Sequence, residues 1–293
     1  MKEILEAIES NCNSTIEQFE EFDRGFSRAR KIIVKLSNGT SWFVKIGADP
    51  KTNASLKKEA RIYTHLEGKH APLFGFFIDI PSGSILGLEN LSSAEWNIKW
   101  TKHCVASVIS RLDEVSRLKF PFKIPRLEHL VADFKSWNSI DSAGIEVLGT
   151  ILGCSDWICD IEAFLRELSG AASFKGHEVV HFDVRIDNLC FRDGRLILID
   201  WDWLSIGNPV LDILSLLPGV YLSGGPHPHD VIKEEYELVS WLAGAWGAQI
   251  LMHPDGHLSS RLGQLQLRQL KVALDWIARG NGLLLPFEEG TLL

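Results

Sequence analysis

Cysteine is scarce in this chain and scattered. There are five, Cys12, Cys104, Cys154, Cys159 and Cys190, an odd number with no C-x-x-C pair. Neither a zinc-binding set nor a disulfide framework is indicated, and a reducing compartment fits best. Excess positive charge is also missing: 30 Lys+Arg stand against 38 Asp+Glu, a formal net charge of −8. Phosphate backbones reward a cationic excess, so a general nucleic-acid partner is not expected; the negative charge reads as solubility. No apolar run approaches the ~20 residues that span a bilayer. The opening "MKEILEAIES" carries acids inside its apolar pattern, which argues against a secretory signal. No fixed-period repeat or low-complexity tract is present. The expectation is a cytoplasmic protein with no membrane partner.

What is there is an ordinary folded composition: 293 residues, 45% hydrophobic and 23% charged. That length is long for one core and comfortable for two lobes. The first third reads as strands. "RKIIVKL" (30–36) and "SWFVKI" (41–46) flank Asn38-Gly39, a hairpin signal. "FFIDI" (76–80) and "SILGLENL" (84–91) flank Pro81-Ser82-Gly83, a second hairpin. Between the pairs, Leu56, Ala60, Tyr63 and Leu66 recur at helical spacing. Beyond residue 92 helical stretches dominate, as in "WTKHCVASVISRLDEVSRL" and "CSDWICDIEAFLRELSGAA", with one strand-rich island at 179–203. The predicted class is α+β, with a small β-rich lobe over 1–91 and a larger, mainly helical lobe over 92–293. Joints between lobes commonly hold ligands.

The island concentrates polar groups between apolar flanks. "VVHFDVRIDNLCF" holds His181, Asp183, Arg185, Asp187 and Asn188. Buried unpaired, each would cost several kcal/mol, on the order of 2–7, so they satisfy one another or meet a ligand. Downstream, Asp193-Gly194 predicts a two-residue turn pairing Arg192 with Arg195 and Leu189 with Leu198. Asn188 then lies opposite Ile199, with Asp200 one residue beyond. Both polar groups fall at the open end of one hairpin, within the ~8 Å reach of diagonal neighbours. Strict alternation would send them to opposite faces, so convergence is left open by geometry alone. An Asn and an Asp close together suit Mg²⁺, a hard ion that takes oxygen ligands. The spacing D-x-x-x-x-N, then a hairpin, then Asp is a phosphoryl-transfer layout, with Asp183 orienting an acceptor hydroxyl and Asn188 and Asp200 holding metal. The plain alternative is that Asp183 and Asn188 cap a turn.

Such chemistry also wants a strand lysine for phosphates and a helix glutamate to hold it. Lys45 ends "SWFVKI", and Glu59 lies on or beside the apolar stripe of the following helix. Lys45 is the economical partner for Glu59; a stripe-edge glutamate with its head in solvent is the alternative. "RGFSRAR" (24–30), with Gly25 and Ser27, stands where a phosphate-covering loop would, with one glycine and no G-x-G.

Together these residues resemble the aminoglycoside phosphotransferase and choline kinase family, which is kinase-like in fold. The resemblance is strong over 179–212, moderate over 24–91 and faint elsewhere. It implies Asp183 as catalytic base, Asn188 and Asp200 as metal ligands, and Lys45 with Glu59 as the phosphate-binding pair. It implies His181 and Asp212 as supports of the catalytic loop, and Asn90 and Leu91 as the hinge that holds a nucleobase. Arg185 would steady the loop or the transferring phosphate. The expected co-substrates are ATP or GTP with Mg²⁺, and the expected partner is a small hydroxyl-bearing acceptor. Phe182 departs from the family pattern, where glycine commonly sits between the His and the Asp. No D-F-G or A-P-E segment occurs, so protein substrates are not expected. Two rival readings are a nucleotide-binding regulatory module without turnover and a metal-dependent hydrolase built on His181, Asp183 and Asp200.

Other features read plainly. His227, His229 and Asp230 in "GGPHPHD" suggest an exposed loop rather than a metal site. His253 and His257 flank a turn. Asp156, Asp160 and Glu167 read as the solvated face of a helix whose core side holds Trp157, Ile161, Phe164 and Leu168. Trp241, Trp246 and Trp276 read as core, while Trp201 and Trp203 fit either core or pocket.

Overall fold

The computed structural model describes residues 1–22, 29–252, 258–288 and 292. The chain divides into two compact units, one of Met1–Ile98 with Asp187–Trp203, the other of Lys99–Ile186 with Leu204–Leu293.

The first unit is built on an antiparallel sheet of β1 (Ile16–Glu21), β2 (Arg30–Leu36), β3 (Ser41–Ile46), β4 (Phe74–Ile80) and β5 (Gly83–Glu89), in the order β1-β2-β3-β5-β4. Both expected hairpins form. In the first, Lys35 pairs with Ser41, the Leu36 amide donates to the Thr40 carbonyl, and Gly39 sits at φ +85°. This is a three-residue loop whose left-handed position favours glycine. The second turns at Pro81-Ser82, with Ile80 opposite Gly83.

Strand alternation then assigns the faces. Ile32, Val34, Leu36, Val44, Ile46 and Ile85 are buried in one cluster with Ile4 and Ile8 of α1 (Lys2–Cys12). Lys45, between Val44 and Ile46, points to the opposite face, where it meets α2 (Pro50–Leu66). That helix starts ahead of the apolar periodicity, which begins at Leu56. Asp49 accepts the Thr52 amide at 2.9 Å, the Thr52 hydroxyl accepts the Asp49 amide at 3.2 Å, and Pro50 supplies the first helical position.

The hairpin of β7 (Leu189–Arg192) and β8 (Arg195–Leu198) has the predicted register, Leu189 opposite Leu198 and Arg192 opposite Arg195. Asp193 and Gly194 both have positive φ, +52° and +73°, as a type I′ turn requires. The hairpin is fastened within the first unit. Phe191 bridges to Glu95, the Leu198 amide donates to the His70 carbonyl at 2.8 Å, and Cys190 and Ile197 pack with Leu91.

In the second unit β6 (Glu178–Val180) pairs with β9 (Ser205–Gly207). Around them stand α3 (Lys102–Ser116), α4 (Leu127–Val131), α5 (Ser142–Leu152), α6 (Ser155–Gly170), α7 (Val210–Leu222), the short α8 (Pro228–Val231), α9 (Tyr236–Met252) and α10 (Arg261–Gly280). Helix α9 is buried on most sides and packs on α5, α6, α7 and α10, as a helix apolar all round should. At Gly244 a Cβ would lie 2.3 Å from Ser136 Oγ and 2.6 Å from the Trp137 nitrogen, so only glycine fits.

Three details differ from the sequence reading. The buried residues of α6 are Ile158, Leu165 and Ser169, while Trp157, Ile161, Phe164 and Leu168 are half-buried on its flank. The apolar residues foreseen as its core side border the buried stripe instead, the helix turning Ile158 and Leu165 inward where it packs on α5 and α9. His227 is no exposed loop residue: its Nε2 lies 3.0 Å from Oδ2 of the buried Asp275, which also accepts from Arg279 at 2.6 Å. Of the tryptophans, Trp241 and Trp276 are core, Trp246 is half-buried, Trp201 is buried and Trp203 is exposed. Asp156, Asp160 and Glu167 are exposed as foreseen. His253 and His257 lie outside the described residues.

Candidate active site

Each unit carries one group of the polar residues singled out above. In the first, Lys45 Nζ lies 2.7 Å from Glu59 Oε2 and 2.5 Å from Asp200 Oδ1. The Lys45 and Glu59 side chains are 4% and 5% exposed, whereas Asp200 keeps 29%. The pair is therefore out of water, while a ligand can still reach Asp200. Burial alone would lower the Lys45 ammonium, but the Asp200 and Glu59 carboxylates hold it well above the ordinary lysine range. Burial pushes the Glu59 carboxyl up, to about 7, against the downward pull of Lys45.

The backbone at Asp200 is held closely. The Ile199 amide donates to the Asn188 carbonyl at 2.9 Å, and the Asp200 amide donates to the Tyr63 hydroxyl at 3.0 Å. Lys58 donates to the Asp202 carbonyl. Asp200 has φ +62°, a left-handed conformation outside the regular pleat, which removes the objection that alternation separates it from Asn188. Asn188 is buried at the same end of the hairpin. An amide oxygen and a carboxylate there are the hard donors that Mg²⁺ takes, so the residues fit that ion.

In the second unit the loop after β6 is organised by Asp212, in the first turn of α7. Its Oδ2 accepts the His181 amide and its Oδ1 the Phe182 amide, each at 2.8 Å. Burial pushes the Asp212 carboxyl up to about 7, although both amide bonds pull it down. Ser215, also on α7, donates to the Val184 carbonyl at 3.3 Å. The Asp183 amide donates to Nδ1 of the buried His181 at 3.3 Å, which leaves the proton of a neutral ring on Nε2. Asp183 Oδ1 lies 3.2 Å from Arg185 Nη1, with both side chains partly exposed. Phe182 has φ +64°. Phe182 holds this left-handed conformation with its ring edge-on to Phe134, centroids 5.7 Å apart.

Asn90 and Leu91 follow β5. The Asn90 side chain donates to Ser41 Oγ at 2.9 Å and accepts the Ser92 amide at 3.0 Å. The Leu91 carbonyl accepts from the Trp96 indole at 2.9 Å. Gly25 and Ser27 lie outside the described residues. Tyr63, Lys58 and Ser215 were not singled out for chemistry. Only the position of Tyr63 one helical turn after Glu59, on the same stripe, could have flagged it.

No protein-family model matches the chain, and no curated protein matches it in sequence. Solved structures do match. A spectinomycin phosphotransferase, crystallised with ADP and spectinomycin, matches with a TM-score of 0.64 at 12% identity, over 96% of this chain and 98% of that one. A crystal structure of an aminoglycoside phosphotransferase matches with a TM-score of 0.62 at 11% identity, over 95% and 98%. A choline kinase from Streptococcus pneumoniae matches with a TM-score of 0.56 at 15% identity, over 94% and 99%. The α+β fold of this chain is the protein-kinase-like fold of those phosphotransferases.

Proposed function

We propose that the chain is a small-molecule kinase that moves the γ-phosphoryl group of ATP or GTP to a hydroxyl of a small acceptor. The observation that carries this reading is the buried Lys45 ammonium, held between Glu59 and Asp200. A desolvated cation fixed by two carboxylates is suited to phosphate oxygens, and it lies beside a hairpin end that offers metal-type donors. The fold supports the class, since its solved neighbours are named for phosphotransfer.

On this reading Asp183 accepts the acceptor's proton as its oxygen bonds to the γ-phosphorus and the bond to the β-phosphate oxygen breaks. The products are a phosphate ester and a nucleoside diphosphate. Arg185 steadies Asp183 and the charge of the moving group; His181 and Asp212 hold the loop. Asn188 and Asp200 would hold Mg²⁺, which supplies charge neutralisation at the phosphates when bound. Asn90 and Leu91 would hold the nucleobase, and Gly25 with Ser27 would cover the phosphates. Residues 1–91 then serve the nucleotide, and 92–293 serve catalysis and the acceptor. The partners are nucleotide and acceptor, with neither nucleic acid nor membrane. The proposed place is the cytoplasm; the five cysteines are free thiols and no described helix is long and apolar enough to cross a membrane.

The hydrolase reading leaves the Lys45–Glu59 pair without a task and needs as ligand a His181 that already accepts the Asp183 amide. The regulatory-module reading rested on Phe182, whose amide nevertheless makes its bond to Asp212. The test is thermal unfolding with Mg²⁺ and ATP or GTP, on wild type and Asp200→Asn. Ligand at about 100 times Kd adds ~2.7 kcal/mol, a shift of roughly 4–5 °C at this size. A Mg²⁺-dependent shift that shrinks in the variant supports the reading; no shift with either nucleotide overturns it.

A further inference from the structure

We propose that Tyr63 is a positioning residue for Asp200, its hydroxyl fixing the backbone from which the Asp200 carboxylate reaches Lys45. The inference rests on the kinase reading for its functional consequence and on geometry for the rest. Asp200 has φ +62°, a region disfavoured for residues with a Cβ. Such a conformation persists only where the surroundings hold it. Two successive amides do so: Ile199 donates to the Asn188 carbonyl at 2.9 Å, and Asp200 to the Tyr63 hydroxyl at 3.0 Å. Lys58 fastens the same segment two residues on, at the Asp202 carbonyl.

Tyr63 is fully buried, and it stands one turn of α2 beyond Glu59. One helix therefore sets both partners of the Lys45–Asp200 contact, Lys45 through Glu59 and Asp200 through Tyr63. A rotation or slide of α2 would move both together. The Tyr63 hydroxyl is the polar end of an otherwise apolar side chain, so its loss leaves the Asp200 amide without that acceptor while the packing ring remains.

The test is Tyr63→Phe, read by two measurements on the full chain. The first is nucleotide affinity with and without Mg²⁺. Loss of one buried hydrogen bond should raise Kd for the nucleotide about five- to tenfold in Mg²⁺ and leave the Mg²⁺-free value unchanged, a split that a merely structural loss would not give. The second is hydrogen exchange, in which the segment containing the Asp200 amide should exchange faster than in wild type. Equal exchange in the two proteins, or equal Mg²⁺-nucleotide affinity, overturns the positioning role. Absence of Mg²⁺-dependent binding in wild type instead overturns the kinase reading, while the exchange result still decides the geometry. Should Tyr63→Phe not fold, Lys58→Ala at the partly exposed Lys58 tests the same hold, with a Kd rise of about twofold in Mg²⁺ expected and no change overturning it.

Discussion

Removing Lys45 exposes the electrostatics of the site to direct measurement. In Lys45→Met the apolar packing is largely kept, and Glu59 loses the cation 2.7 Å away. Its side chain is 5% exposed, so water cannot take the place of the lysine. Glu59 already sits at about 7, against an ordinary value of 4.5, with the lysine present to lower it. Without the lysine it rises further, and the folded variant carries a protonated Glu59 at pH 7. The unfolded chain does not, so holding that proton at pH 7 costs on the order of 3 kcal/mol. This agrees with the ~3–5 kcal/mol typical of breaking a buried pair. The sign follows: the folded state holds a proton that the unfolded state has released, so stability falls as pH rises from about 4.5 through the raised value. Lys45→Met should lose about 1.4 kcal/mol per pH unit across that window relative to Lys45→Met/Glu59→Gln, which lacks the Glu59 carboxyl and keeps Asp200 as in the single variant. Urea unfolding of both variants at pH 5.5, 6.5 and 7.5 checks this. Parallel stabilities across the three values would refute the argument, because the Glu59 carboxylate would then be solvated in the variant.

Three further outcomes are expected. Phe182→Gly should be more stable than Phe182→Ala by about 0.5–1 kcal/mol, since both lose the ring and only alanine keeps the strain of φ +64°; urea unfolding decides, and an alanine variant at least as stable would contradict it. Gly244→Ala should destabilise by about 1–3 kcal/mol, because its Cβ would meet Ser136 and Trp137; an unchanged melting temperature would count against that packing. Asp183→Asn should retain nucleotide binding by calorimetry and lose turnover once an acceptor is identified, and substantial residual turnover would remove Asp183 from the role of base.

The parts of the site that were legible in the sequence are those that local chemistry dictates. Asp193-Gly194 fixes a type I′ turn, the turn fixes the β7–β8 register, and the register brings Asn188 and Asp200 to one hairpin end. Lys45 and Glu59 were paired from a lysine ending a strand and a glutamate on or beside a helical stripe, and a carboxylate on an apolar face has few ways to be satisfied. Less legible were features in which burial depends on a neighbour's shape. Helix α6 buries Ile158 and Leu165 rather than the larger Trp157 and Phe164. Strand β1, "IEQFEE", is an edge strand exposed along nearly all its length, so it shows no alternation to read. Its acids suit such a position, since charge on an edge discourages pairing with another chain.

Least legible were the holds on backbone conformation. Nothing in "HFD" announces that Phe182 adopts positive φ, and nothing in "IDWDW" announces it for Asp200. Phe182 stands between two residues assigned roles and Asp200 is itself assigned one, and both are fixed by partners distant in sequence: Asp212, 30 residues from Phe182, and Tyr63, 137 residues from Asp200. Residue type predicts which side chains can do chemistry, because charge and donor class travel with the residue. It does not predict where the backbone must be strained to aim them, because strain is maintained by the surrounding fold. In this chain the aiming residues are a buried aspartate and a buried tyrosine. The tyrosine would pass as ordinary core from sequence, the aspartate was marked only by the family resemblance, and each meets its partner only once its own unit has folded.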